Sequence, residues 1–169
     1  RFQAEQDRWD SVALSRGQLP SVKDEVTVIP WNDLNVVQQT LERDLDIAVL
    51  ILEPVMCNTS CIMPKPGYLK GLRELCHRFN VVLVFDEVIT GFRLAPGGAQ
   101  EYFGIIPDLA TYGKAMGSGF PISVLAGKRE YMELLGDGQV IHAGTLNANI
   151  SSVAPALATL EILTRNEGE

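Results

Sequence analysis

The chain has 169 residues, of which 46% are hydrophobic and 21% are charged, proportions that describe a globular protein with enough apolar side chains for a core. Its formal net charge of −7 disfavours nucleic-acid binding, which draws most of its affinity from Lys and Arg against phosphates. No apolar run approaches the roughly 18 residues of a transmembrane helix, and the first ten residues lack a signal-peptide pattern. The default expectation is therefore a cytoplasmic protein without membrane contact.

The first periodic segment predicts a helix followed by a strand. Asp33 is a plausible helix cap, and the apolar residues after it recur at helical spacing at Leu34, Val37, Leu41 and Leu45. Residues 46–52 then form a short, mostly apolar run, typical of a strand buried on both faces of a parallel sheet. This strand ends at Glu53 and Pro54.

The next segment repeats this order. Pro66 opens a second amphipathic helix, Asn80 ends it, and residues 81–85 form another apolar strand. A strand, a helix and a strand in this order predict a βαβ unit with two parallel strands. Both strands end on acids, at Glu53 and at Asp86-Glu87, so these side chains are expected at the sheet edge where α/β proteins bind ligands.

The remainder predicts two more strands and two helices. Residues 107–112 form a short strand that ends at Gly113-Lys114, and residues 122–126 form another before a helix over 128–135. The last helix contains Pro155, either in its first turn or at a kink. The Pro- and Gly-rich stretches near 94–98 and 117–121 are expected to be loops. The fold class is therefore α/β, with a mostly parallel sheet flanked by helices.

The three cysteines do not indicate a disulfide framework. They are odd in number, at positions 57, 61 and 76, without a secretory signal. Cys57, Cys61 and the Cys76-His77 pair suggest a metal site at first sight, but their spacing matches no zinc pattern. We therefore expect ordinary reduced thiols and no metal.

Asp86 and Lys114 carry the chemistry that the pattern allows. An acid at a strand end also suits a nucleotide hydrolase, but that class needs an upstream GxxxxGK[ST] loop, which this sequence lacks. A lysine between a strand and a Gly-rich turn can attack an aldehyde if its pKa is lowered. By spacing alone, a surface lysine beside a flexible turn is the favoured interpretation of Lys114.

Four segments in order resemble the motifs of class III pyridoxal-phosphate-dependent aminotransferases, and the similarity is greatest to members like glutamate-1-semialdehyde 2,1-aminomutase. The resemblance extends over most of the chain, from about Gly17 to Thr164. The segments are EPVMCNTSCIMPKPGYLKGLREL, VVLVFDEVITGFR, GGAQEYFGIIPDLATYGKAMGSGFPI and HAGTLNAN. This resemblance implies the large domain of fold type I, bound pyridoxal 5′-phosphate and a homodimer with shared active sites.

The resemblance implies a role for three residues near the strand ends. Lys114 matches the catalytic lysine that binds the cofactor covalently. Asp86 matches the acid beneath the pyridine nitrogen, and a carboxylate in a poorly solvated pocket keeps that nitrogen protonated. Val88 lies on the same side as Asp86 if the strand continues, and it matches the side chain that packs on the ring face.

Further positions match residues around the rest of the cofactor. Asn58 matches the asparagine that hydrogen-bonds the phenolic oxygen in the aminomutase branch, and Ile89 replaces a glutamine common in relatives acting on omega-amino acids. Gly144 and Thr145 match the pair that binds the cofactor phosphate of the neighbouring subunit. Without the resemblance, Asn58 would be interpreted as a turn residue.

Some positions depart from the family pattern, and some acids are expected to be structural. Ser118, Ser123 and Ala148 are small replacements, whereas Ile150 puts the phosphate geometry in doubt. Both Glu53 and Glu87 are expected to hold backbone or Arg groups, with Arg93 as one partner.

The chain is expected to be part of a large, cofactor-binding domain over residues 1–169. The upstream phosphate loop and a small C-terminal domain would then lie outside it, and the fragment alone would be inactive. We expect amino-group transfer on a small amino acid, amino-aldehyde or keto substrate, either between molecules or within one. The alternatives are a lyase or decarboxylase with the same cofactor and a non-catalytic binding or assembly subunit.

Overall fold

A computed structural model describes residues 2–5, 8–11, 17 and 19–165 of the chain. The strands are β1 Phe2–Glu5, β2 Arg8–Ser11, β3 Val49–Leu52, β4 Val82–Asp86, β5 Leu109–Tyr112 and β6 Val124–Gly127. The α-helices are α1 Leu34–Arg43, α2 Tyr68–Arg78, α3 Gly98–Phe103, α4 Arg129–Gly136 and α5 Ile150–Arg165. Short 3-10 turns span Pro20–Lys23, Cys57–Thr59 and Lys114–Gly117.

Four strands form one mostly parallel sheet. Its order is β3-β4-β5-β6, and β1 and β2 form a separate antiparallel pair. β3 is parallel to β4 and β4 is parallel to β5, whereas β6 is antiparallel to β5. The predicted βαβ unit is therefore confirmed as β3-α2-β4. The C-terminal ends of β3, β4 and β5 share one side of the sheet, here called the carboxyl edge.

The core lies between this sheet and the first two helices. α1 begins where the Asp33 carboxylate accepts hydrogen bonds from the backbone N–H groups of Asn35 (3.1 Å) and Val36 (3.2 Å), as its capping position predicts. α2 packs against β4 and α1 packs against α2. The buried cluster that they share includes Val37, Leu41, Leu69, Leu72, Leu75, Cys76, Leu83 and Phe85. The helical spacing read from the sequence therefore identified the buried face of α2 and that of α1 as far as Leu41, but Leu45 lies beyond the end of α1 and is 79% exposed.

The prediction that the first strand is buried on both faces is wrong. Leu50 and Leu52 pack against the core, but Val49 is 50% exposed and Ile51 is 62% exposed. The reason is topological, because β3 is an edge strand of the described sheet and the core cluster lies on only one of its faces. The exposed residues line a groove of about 670 Å³ together with residues 24–31.

Two helices differ in part from the sequence-based expectation. Pro155 is the sixth residue of α5, so it lies inside the helix and not in its first turn. α3 begins at Gly98, at the end of a stretch predicted to be a loop, and was not predicted. Within the described residues, no helix is both long and apolar enough to cross a membrane.

A cluster of ion pairs around the buried Asp108 lies at the end of the sheet opposite the carboxyl edge. Asp108, just before β5, accepts hydrogen bonds from Arg73 Nη1 (2.8 Å) and the Leu83 N–H (2.7 Å), and pairs with Lys128 Nζ (2.6 Å). Burial raises the pKa of this carboxyl, but the hydrogen bonds from Lys128, Leu83 and Arg73 outweigh burial and lower it overall. The cluster therefore ties α2, β4 and β5 together, away from the carboxyl edge.

Candidate active site

Asp86 is the last residue of β4, and its carboxylate is fixed at the carboxyl edge. Its Oδ1 accepts hydrogen bonds from the Val88 N–H (3.1 Å) and from Thr111 Oγ1 (3.3 Å). Thr111 is the residue paired with Asp86 across the β4–β5 ladder. Among the described residues, Oδ2 has no hydrogen-bond partner. One oxygen is therefore used to orient the group, and the other is available to a ligand.

Lys114 follows β5 at the same edge, in a constrained turn. Gly113 before it is extended, whereas Lys114 has a φ of +39°, a left-handed conformation that is uncommon for residues other than glycine. This reversal starts the turn Lys114–Gly117, and the lysine side chain is exposed. Backbone strain of this kind is concentrated at functional sites, where the surrounding structure holds it in place.

The Lys114 ammonium acts on the loop that follows β3. Burial raises the pKa of the Cys57 thiol, and Cys61 and Glu53 raise it further, whereas the positive charge of Lys114 opposes them. Lys114 is therefore near enough to the loop to influence it electrostatically. Since Asn58 is the next residue of that loop, Lys114 and Asn58 belong to one region of the carboxyl edge.

Val88 lies between the ends of β4 and β5. Its backbone N–H binds Asp86, and its Cγ1 is 3.6 Å from the position that a Cβ on Gly113 would occupy. The half-buried side chain therefore lines the space between Asp86 and the residue before Lys114. Val88 was expected to share a side with Asp86 if the strand continued, but β4 ends at Asp86 and Val88 lies in the turn that follows, so the turn determines its position.

Asn58 is held by a residue from the end of β3. The Glu53 carboxylate accepts hydrogen bonds from the N–H groups of Cys57 (3.1 Å) and Asn58 (3.4 Å), and from Asn58 Nδ2 (3.0 Å). The expectation that Glu53 holds backbone groups is confirmed. The bond from the Asn58 side chain was not predicted, although the i, i+5 separation places both residues on one short loop.

Glu87, next to Asp86, is fully buried and structural, as predicted. Its carboxylate accepts hydrogen bonds from Thr90 Oγ1 (2.9 Å), the Ala99 N–H (2.5 Å), the Gln100 N–H (3.0 Å) and Gln100 Nε2 (3.3 Å). It thus satisfies two N–H groups at the start of α3. The prediction that Arg93 is such a partner is wrong, because within the described residues neither Glu53 nor Glu87 pairs with it, and backbone donors occupy these carboxylates.

Gly144 and Thr145 lie on a separate, exposed loop before α5. The Gly144 carbonyl accepts a hydrogen bond from the Asn147 N–H (3.0 Å). The structure records no contact of either residue with Asp86 or Lys114 in the described part of the chain. α5, which follows the loop, packs against the Lys114–Gly117 turn. The structure thus groups four of the six predicted site residues at the carboxyl edge and leaves the other two apart.

Thr111 is a site residue that the sequence analysis missed. It contributes the side-chain donor to Asp86 and belongs to β5, which was predicted correctly. The signal was present in principle, because a polar side chain near the end of the neighbouring parallel strand reaches the same edge. Only the strand register, which the sequence does not specify, pairs it with Asp86.

Comparison with known proteins identifies relatives of the chain as a whole. A glutamate-1-semialdehyde 2,1-aminomutase from Methanocaldococcus jannaschii is 48% identical over 161 residues, which are 90% of this chain and 38% of that protein. An omega-transaminase from Sphaerobacter thermophilus superposes with a TM-score of 0.86 at 30% identity, over 92% of this chain and 36% of that chain. A transaminase with PLP bound superposes with a TM-score of 0.84 at 29% identity, over 91% of this chain and 37% of that chain.

These likenesses confirm the expected fold, the α/β fold type I of pyridoxal-phosphate-dependent transferases. The chain spans little more than a third of the length of these relatives. The family model for class-III aminotransferases matches residues 13–168, nearly the whole chain. The protein therefore belongs to the class III aminotransferase family, whose cofactor is pyridoxal 5′-phosphate.

Proposed function

We propose that this chain carries the cofactor-binding site of an enzyme that transfers amino groups with pyridoxal 5′-phosphate, as an aminotransferase or a glutamate-1-semialdehyde-type aminomutase. The observation that carries the proposal is the meeting of Asp86 and Lys114 at the carboxyl edge of a class III aminotransferase fold. The cofactor supplies an aldehyde that condenses with amines and a ring that accepts electrons from a substrate carbanion.

The residues at the carboxyl edge fit this cofactor. Asp86 has one carboxylate oxygen oriented by Val88 and Thr111 and a second oxygen that has no partner in the described part of the chain, which suits a protonated ring nitrogen. A half-buried carboxylate attracts a cation more strongly than one in water, since the local dielectric is lower. Asp86 would therefore hold the ring nitrogen protonated, the state in which the ring accepts electrons.

Lys114 is the catalytic residue of the proposal. Its exposed side chain begins at the edge shared with Asp86, and its amine would be the group that binds the cofactor aldehyde. With the cofactor bound, this amine would also hold a proton and move it between two carbons. The left-handed backbone conformation of Lys114 determines the direction in which its side chain leaves the main chain.

Val88 and Asn58 are proposed to complete the ring pocket. Val88 offers an aliphatic surface beside Gly113, where a flat ring can pack. Asn58 offers an amide to the phenolic oxygen of the ring, and its side chain is already oriented by Glu53. These contacts hold and orient the ring while Lys114 moves protons.

The phosphate contact is proposed to be shared between subunits of a homodimer. Gly144 and Thr145 are exposed and have no recorded contact with Asp86 or Lys114 within the described residues, which supports a role toward a neighbouring subunit. The same loop exposes Ile141 (86%) and Leu146 (72%), apolar side chains that a subunit interface would cover. Light scattering of the intact protein tests this, and a monomer would contradict it.

The substrate is proposed to be a small amino acid or amino-aldehyde. The relative at 48% identity is a glutamate-1-semialdehyde 2,1-aminomutase, which favours return of the amino group to a neighbouring carbon of the same molecule. The net charge of −7 supports the absence of a nucleic-acid partner, and three free thiols suit the reducing cytoplasm.

The central experiment is visible absorbance of the intact protein after addition of pyridoxal phosphate. We expect a yellow band that borohydride bleaches and that Lys114→Ala abolishes, because the linkage needs this amine. Asp86→Asn should retain a band but lose most of the activity, since the ring nitrogen is no longer held protonated. A colourless protein that binds no pyridoxal phosphate would refute the proposal.

The reaction type is tested with glutamate 1-semialdehyde as substrate. An aminomutase isomerises it without an added amino acceptor, whereas an aminotransferase needs a 2-oxo acid. Release of carbon dioxide would indicate a decarboxylase instead. Binding of the cofactor without turnover of any amine would indicate a non-catalytic member of the family.

A further inference from the structure

Glu53 directly follows β3 and accepts three hydrogen bonds from the next turn of the chain. Two come from the backbone N–H groups of Cys57 and Asn58, at 3.1 and 3.4 Å, and one comes from Asn58 Nδ2 at 3.0 Å. Pro54 and Val55, the residues between the carboxylate and the turn, are buried. Both the backbone and the side chain of Asn58 therefore donate hydrogen bonds to a carboxylate just after the strand.

The rest of the loop is closed independently of Glu53. Met56 and Ile62 exchange two backbone hydrogen bonds, of 3.1 and 3.2 Å, which form an isolated antiparallel bridge. Ser60 and Cys61 return the chain through left-handed backbone angles. The bridge fixes the base of the loop, so the contacts of Glu53 are left to determine the direction of the Asn58 amide.

The chemistry of the pair leaves one orientation for that amide. An ionised carboxylate only accepts hydrogen bonds, so the NH₂ group of Asn58 must face Glu53. The Asn58 oxygen and the second N–H remain for other partners. A glutamine at position 53 would place its own NH₂ group or its oxygen there, and the orientation of Asn58 would no longer be unique.

Charged and titratable groups converge on this loop. Burial is the largest of the influences that raise the pKa of the Cys57 thiol. Cys61 and Glu53 raise this pKa further, whereas Lys114 lowers it. Glu53 is thus within electrostatic range of the group that also responds to the catalytic lysine. A change at Glu53 can therefore reach the carboxyl edge through the position of Asn58.

We infer that Glu53 is a positioning residue that sets the orientation of Asn58 toward the phenolic oxygen of the cofactor. This inference rests on the proposed function, because it requires pyridoxal phosphate to bind beside Asn58. Glu53 itself does not touch the cofactor in this proposal. It acts through the hydrogen bond from Asn58 Nδ2.

The test compares Glu53→Gln, Asn58→Ala and the double variant of the intact protein. Glu74→Gln, an exposed position on α2, is the matched control for loss of one carboxylate. The readouts are the Kd of pyridoxal phosphate for the apo protein, the pH midpoint of its visible band and the melting temperature of the apo form. A purely structural role would change the melting temperature without moving the pH midpoint.

We expect Glu53→Gln and Asn58→Ala each to raise Kd by about tenfold, the value of one charge-assisted hydrogen bond. Both should move the pH midpoint in the same direction, and the double variant should add little, because the residues act as one unit. The control should match the wild type. Additive effects, or a Glu53→Gln variant with wild-type Kd and midpoint, would overturn the inference.

A second variant covers the case in which Glu53→Gln does not fold. Glu53→Asp keeps the negative charge but shortens the side chain by one methylene, so it should lose the hydrogen bond from Asn58 Nδ2 and raise Kd, and adding Asn58→Ala to it should change Kd little. A folded Glu53→Asp variant with the wild-type Kd and pH midpoint would overturn the inference while the wild-type protein still binds cofactor. A wild-type protein that binds no pyridoxal phosphate would instead refute the proposed function, and the inference with it.

Discussion

Replacing Glu87 by glutamine tests whether its buried carboxylate holds the segment after β4. The side chain is fully buried and accepts four hydrogen bonds, two on each oxygen. Within the described residues, no cation forms an ion pair with it, so these donors are its compensation for burial. Glutamine keeps the shape, but its NH₂ group faces two donors that it cannot satisfy.

The expected cost follows from this count. A hydrogen bond to a charged group contributes about 1.5–3 kcal/mol, and two are lost. Removing the buried charge offsets part of this lost free energy, because the desolvation penalty of the carboxylate disappears. We therefore expect Glu87→Gln to lower the free energy of unfolding by about 2–4 kcal/mol.

Urea denaturation of the intact protein measures this change, and hydrogen exchange of residues 98–104 locates it. Glu130→Gln on α4 is the matched control, since Glu130 is exposed and forms no hydrogen bond or ion pair within the described residues, so its loss should change stability by less than about 0.5 kcal/mol. Faster exchange should be confined to α3 and the loop before it. If Glu87→Gln were as stable as the control, the carboxylate would not be what holds this segment.

Three further predictions concern the rest of the fold. Gly98→Ala should destabilise the intact protein, because Gly98 has a φ of +77° and a Cβ there would collide with the Glu87 carboxylate. Gly136→Ala, with open space around it, should not destabilise it, and melting temperatures compare the two variants. Asp108→Asn should lower the free energy of unfolding by an amount that is constant above about pH 5 and shrinks as pH falls below about 4. The reason is that a carboxyl with a lowered folded-state pKa stabilises the protein fully above its unfolded pKa near 3.9 and loses this effect as pH falls through the folded-state value. Urea titrations that show a pH-independent difference would contradict this. Iodoacetamide at mildly alkaline pH should modify exposed Cys61 first and Cys76 last, because burial raises the Cys76 pKa to about 11; mass spectrometry gives the order.

Local patterns were enough to predict most of the helices and strands. The Asp33 cap, the apolar face of α2 and the run before Asp86 are properties of neighbouring residues, and each appears where expected. The order of elements then implied parallel strands, so the sheet edge that carries Asp86 followed without coordinates. The motifs around Lys114 allowed the family to be recognised because they occur together and in order.

What the sequence could not supply depends on partners distant along the chain. α3 begins in a Gly-rich stretch and is held by Glu87, which lies more than ten residues earlier, so its own residues gave no signal. The exposure of Ile51 depends on which elements lie beside β3. The bond from Thr111 to Asp86 depends on the register of two strands that are 25 residues apart.

Asp86 and Glu87 show how one local rule separates two neighbouring acids. Successive residues of an extended chain point to opposite sides, so two adjacent carboxylates cannot share one environment. Among the residues that the structure describes, Asp86 keeps one oxygen free at the carboxyl edge, whereas Glu87 is enclosed and uses both oxygens on α3 and Thr90. The acid that can bind a ligand is therefore the one with an unsatisfied oxygen, and its buried neighbour stabilises the segment that follows it. The same distinction applies to Glu53, whose oxygens are both occupied, which is why we assign it to positioning and not to catalysis.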